Sequence, residues 1–131
     1  MEIEMAIATN ELLLELTAKK NDPSISLYMP THRSHPDNQK DSIVFKNIVK
    51  QLKDILQEKY SEIEVQQYEK IFHDLSQEKA LWDKSLDGLA IYSGGDYLKV
   101  IYMQIPVEPL VIVAQIFYTK PLRRYLQSID R

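Results

Sequence analysis

The chain has no cysteine among its 131 residues, which excludes disulfides and thiolate metal sites and fits a cytoplasmic address. Glycine is scarce, confined to Gly88, Gly94 and Gly95. A phosphate-cradling loop needs spaced glycines ahead of a helix, yet neither G-x-G-x-x-G nor G-K-[ST] occurs. Gly94-Gly95-Asp96 instead separates two strand patterns, as a hairpin turn does. No apolar run approaches the roughly 20 residues of a membrane-spanning helix, so no membrane partner is expected. The start, MEIEMAIATNELLLEL, is acidic and interrupted by Glu11 and Glu15, unlike the basic start and unbroken apolar core of a secretory signal. What is present, 44% hydrophobic and 27% charged residues, is the composition of one soluble globular domain.

The net charge of −3 argues against generic polyanion binding, but the charges are unevenly spread. Residues 31–53 carry five Lys/Arg against two Asp, and residues 119–131 carry four against one. Residues 58–87 carry eight acids against four lysines. If the two basic segments lie together they form a cationic patch; otherwise they are ordinary solvated helix faces.

Leu12, Leu13 and Leu16 recur at helical spacing over residues 9–20, with Thr9 or Asn10 as cap and Asn21-Asp22-Pro23 as stop. Residues 24–29 alternate as a strand, with Ile25, Leu27 and Met29 on one side and Ser26 and Tyr28 on the other, and Pro30 ends it. A polar loop leads to a helix capped by Asp37, Asp41 or Ser42. Its stripe is Phe45, Ile48, Val49, Leu52, Ile55 and Leu56, with Lys46, Lys50 and Lys53 on its flanks. Ser61 and Glu64 have capping-box spacing ahead of the stripe Tyr68, Ile71, Phe72 and Leu75, so the two helices form an αα-hairpin. Residues 88–93 and 97–104 read as a hairpin. Leu110–Ala114, unbroken in its apolarity, reads as an interior strand covered on both faces. Pro121 opens a last helix with Leu122, Tyr125, Leu126 and Ile129 on its buried side. The expected fold is α/β, a mixed four-stranded sheet with packed helices, in the order α-β-α-α-β-β-β-α.

Few residues suggest chemistry. His32 and His35, three apart with Asp37 nearby, have the donors of a metal site or a general acid and base, but no further ligands accompany them, and solvated or capping roles are the alternative. Trp82 and the eight tyrosines have the rings to stack on bases, yet they fall where side chains fill a core. Ser34 and Ser93 lack any triad context. No cofactor and no metal are implied, and no catalytic residue is assigned.

The blocks ISLYMPTHR, FKNIVKQL, LDGLAIY and LVIVAQIFYTKPL, in this order from about Glu11 to Leu126, resemble the N-terminal domain of bacterial relatives of the archaeal and eukaryotic peptide-chain release factor 1 family. The resemblance implies a ribosomal ligand with three domains, of which the middle one promotes peptidyl-tRNA hydrolysis through a Gly-Gly-Gln loop. The chain stops just after the expected first domain, so sister domains downstream are an expectation. Lys46 falls at the lysine of the family's Asn-Ile-Lys-Ser motif, with Val44 and Asn47 at its asparagine and serine. Phe117 falls at the phenylalanine of Tyr-x-Cys-x-x-x-Phe, with Val111 and Val113 at the tyrosine and cysteine. Asn21, Asp22 and Pro23 stand where Gly-Thr-Ser would be. Codon reading is therefore not carried over. Gly94-Gly95-Asp96 lacks the glutamine amide, so hydrolysis is not carried over either.

The expected function is non-catalytic docking on the ribosome or other structured RNA, in termination, rescue or hibernation. Arg33, Lys40, Lys46 and Lys50 would contact phosphates, and His32, His35 and Asn47 would add hydrogen bonds. Arg33 and Lys46 are expected to flank one surface. The rivals are a protein–protein interaction module without RNA binding and a small hydrolase built on His32, His35 and Asp37.

Overall fold

The computed structural model describes residues 4–129. Its elements are β1 (Glu4–Ile7), α1 (Asn10–Thr17), β2 (Ser24–Pro30), α2 (Asp41–Lys59), α3 (Glu62–Gln77), α4 (Lys79–Asp83), β3 (Gly88–Gly94), β4 (Tyr97–Met103), β5 (Leu110–Ala114) and α5 (Lys120–Ile129), with a 3-10 turn at Asp37–Lys40. The strands form one mixed five-stranded sheet in the order β1-β4-β3-β2-β5. The β1–β4 pair is parallel and the other three are antiparallel.

Alternation along the strands divides the interior in two. Ile25, Leu27 and Met29 of β2 share one core with Leu89 and Ile91 of β3 and the stripes of α2, α3 and α4. Tyr28, Ala90, Tyr92, Ile101 and Met103 point the other way and pack under α1 and α5. Helices thus cover both faces, so β2 and β3 are buried along almost their whole lengths. Polar groups in so dry a layer need internal partners. The Tyr92 hydroxyl lies 2.6 Å from that of Tyr28, which in turn donates to the Tyr118 carbonyl. Burial pushes the ionisation of both phenols well up, keeping them neutral donors. Ser26 Oγ accepts from the Tyr118 N–H at 2.9 Å, so the chain entering α5 is fastened to β2 at two points.

Local signals decide the helix ends. Thr9 Oγ1 accepts from Leu12 N at 3.1 Å, and Ser61 and Glu64 close a capping box at the tight α2–α3 connection. Gly95, at φ 56°, makes the β3–β4 turn in a conformation that costs a side-chain-bearing residue steric energy. Gly88 admits the carbonyl of Ile105, which would lie 2.3 Å from an added Cβ.

The fold departs from expectation in several places. The sheet has five strands, not four, because Glu4–Ile7 pairs in parallel with β4. A four-residue parallel strand has its partner 95 residues away and no hairpin turn to announce it. The short helix α4 was also not expected. Asp41, offered as a helix cap, makes no capping bond, since both its oxygens turn to His32. Most consequential, Leu110–Ala114 is an edge strand rather than an interior one, bonded only to β2. Its unbroken apolarity reflects α2, which packs closely over it and draws Val111 and Val113 into the core while the outer edge stays open.

The edge position predicts an unequal response to charge. Ile91→Asp should abolish cooperative folding, since an unpaired buried carboxylate costs several kcal/mol, comparable with the roughly 5–15 kcal/mol of a whole domain. Val113→Asp should still fold with a loss of about 1–3 kcal/mol, read from thermal or urea melting.

Candidate functional site

Where β2 leaves the sheet, the chain is pinned residue by residue. Thr31 donates its backbone N–H to the Asp87 carbonyl at 3.0 Å and its hydroxyl to the Leu86 carbonyl at 2.7 Å. His32 donates its backbone N–H to Asp41 Oδ2, while its ring Nδ1 lies 2.8 Å from Asp41 Oδ1. An ionised carboxylate only accepts, so the ring proton sits on Nδ1 and Nε2 is the other ring nitrogen, on a side chain that is 55% exposed. The hydrogen bond to Asp41, reinforced by its charge, raises the histidine's pKa above its usual 6.5. Arg33 then grips Asp87 through Nε at 3.1 Å and Nη2 at 2.9 Å, and this guanidinium holds the Asp87 carboxyl below its ordinary range.

The two most conspicuous members of the PTHR stretch are therefore already occupied by acids. His35 is exposed and lines a separate depression of about 420 Å³ with Asn38, Ser42, Lys79, Trp82 and Asp83. Lys40 is exposed at the end of the 3-10 turn.

Lys46 and Lys50 have a different setting. One helical turn apart on α2, both exposed, they form one wall of a groove between α2 and α3. The groove has a volume of about 260 Å³, with Val49 and Phe72 among its lining and Glu69, His73 and Ser76 on the α3 side. Lys53 continues the row but is drawn to Glu69, at 3.4 Å. Among the described residues Lys40, Lys46 and Lys50 have no acidic partner within ion-pairing distance. Asn47 is exposed but rotated out of the groove.

The structure thus brings Lys46 and Lys50 together and leaves Arg33, His32 and His35 elsewhere. Arg33 pairs with Asp87 and feels the Tyr125 phenol of α5, while Lys46 lines the groove beside α3, so the two have different neighbours. Of the first basic segment only Arg33 comes near α5; the α2 lysines do not join the α5 cations, because α2 and α5 belong to cores on opposite faces of the sheet. Sequence reasoning missed His73, which arrives from the facing helix. The lysines at 46, 50 and 53, at helical spacing beside an αα-hairpin, were the signal for the groove.

Among the described residues no group of three or more His, Asp or Glu side chains is placed to hold a metal ion. Compared with known proteins, the chain matches no family model and no curated protein.

The His32–Asp41 pair carries a signed pH dependence. Because the folded pKa is raised, the stabilisation is fully present below pH 6.5 and is lost as pH rises through the higher folded value. The stability gap between wild type and His32→Ala should be largest near pH 5.5 and narrow above neutrality. An NMR titration should find the His32 pKa above 6.5 in wild type and lower in Asp41→Asn.

Proposed function

We propose that this chain is the non-catalytic N-terminal domain of a release-factor-like bacterial protein, and that it docks on the ribosome or other structured RNA in the cytoplasm. Its place is translation termination, rescue or hibernation. The reading rests on the four sequence blocks and on one structural observation: Lys46 and Lys50 line a groove in which the acid Glu69 pairs with Lys53 and not with them. Unpaired ammonium groups in a row release counterions when they meet phosphates, which gives affinity and orientation without sequence readout. The cations bound to acids serve the reading less well. Arg33 must first leave Asp87, and His32 must leave the buried Asp41.

Lys46 also ties the groove to the resemblance, since it stands at the lysine of the family's decoding motif. Its neighbours Val44 and Asn47 do not reproduce that motif, so the role proposed is occupancy and docking, not codon recognition. Peptidyl-tRNA hydrolysis would need a Gly-Gly-Gln loop, and Gly94-Gly95-Asp96 does not supply its glutamine.

Binding to purified ribosomal particles over a salt series tests the reading. Lys46→Ala/Lys50→Ala should weaken binding and make the log–log salt slope shallower by about one to two, one unit or less per lost phosphate contact. Arg33→Ala should have a smaller effect, and Lys70→Ala, whose lysine pairs with Asp74 on α3, should have none. Equal weakening by Lys70→Ala and the double variant would reduce the attraction to diffuse charge. No binding by wild type would hand the function to the protein-interaction reading.

A further inference from the structure

The C-terminal basic segment takes no part in the groove, and its placement is informative. On α5 the apolar residues Leu122, Tyr125 and Leu126 are buried against the sheet, while Lys120, Arg123 and Arg124 are exposed. Spaced three and four residues apart, the three cations share one face, turned away from the core. Among the described residues none has an acid within ion-pairing distance.

The positions of these cations oppose helix stability. All three fall in the opening turns of α5, where no acidic residue is present. The positive end of the helix dipole favours Asp and Glu there and disfavours Lys and Arg. A surface kept cationic against that preference suits an external anion better than it suits the fold. It also lies across the sheet from Lys46 and Lys50, because α5 packs on the Tyr28–Tyr92 face and α2 on the Ile25–Leu27 face. One phosphate backbone lying along α2 therefore cannot also run along α5.

We infer that the exposed face of α5, through Lys120, Arg123 and Arg124, is a second phosphate-backbone site, and that the domain bridges two separate RNA segments, one on each side of its sheet. This rests on the docking reading for the α2–α3 groove and adds a second contact to it. The occupant is the sugar-phosphate backbone of an RNA helix, since three cations on one exposed helix face contact phosphates but offer no groove for bases.

Bridging is measurable with short RNA duplexes of about one helical turn, one population carrying a donor dye and the other an acceptor. Wild-type protein should bring the two together, with energy transfer greatest at about one protein per two duplexes and declining at excess protein, as bivalent linkers require. Arg123→Ala/Arg124→Ala should reduce the transfer to background while keeping salt-dependent, Lys46-dependent binding to ribosomal particles. Lys46→Ala/Lys50→Ala should also abolish transfer. Binding without transfer in wild type, or transfer that survives either double variant, overturns the bridge while leaving groove docking intact. Failure of wild type to bind either duplexes or ribosomal particles overturns both.

Discussion

Strand β2 is enclosed on both faces and both edges, and the partners that its own hydroxyl groups take inside that enclosure fix much of the rest. A tyrosine at the centre of a sheet with no access to water must find a partner for its hydroxyl or cost the desolvation of a buried donor. Tyr28 meets Tyr92 across the ladder and the Tyr118 carbonyl beyond, and Ser26 takes the Tyr118 N–H. These bonds determine where the chain leaves β5 and enters α5. The rings of Tyr92 and Phe117, edge to face with centroids 5.5 Å apart and planes at 71°, close the same layer. On the opposite side β2 offers only Ile25, Leu27 and Met29, which demand shape but no partners, and the helical hairpin supplies it.

That asymmetry bears on function. The polar side of β2 is used up internally, so what the domain presents outward comes from helix surfaces and from the loop after Pro30. Within that loop His32 and Arg33 are engaged in turn: Asp41, 2% exposed, bonds His32 twice, and Asp87 takes the Arg33 fork. Such contacts hold the start of the loop in one course and offset the charges of His32 and Arg33. Lys46 and Lys50 on α2 and the three cations of α5 stay outside such pairs and lie on opposite faces of the sheet, so a domain with net charge −3 keeps two local cationic surfaces.

Much of the scaffold was legible because its signals are local. Thr9, the Ser61–Glu64 capping box, the glycine turn and Pro121 act over a few residues, and the stripes of α2, α3 and α5 repeat often enough to average out exceptions. β1 and the place of β5 were not legible, because edge or centre is a property of the whole sheet order. An apolar strand roofed by a helix has the same sequence as one enclosed by neighbours. The site divided similarly. Lys46 and Lys50 were visible as a helical pair, but the neutralisation of Arg33 depends on Asp87, 54 residues away, and His73 reaches the groove only because the hairpin folds back.

The central claim is that the unpaired lysines, not the paired cations, meet the partner. Lysine acylation footprinting, with and without ribosomal particles and read by peptide mass, tests it directly. The account predicts that Lys46 and Lys50 become slow to react in the bound state while Lys70, paired with Asp74, keeps its rate. Uniform slowing of all lysines, or protection confined to the α3 lysine Lys70, would contradict it.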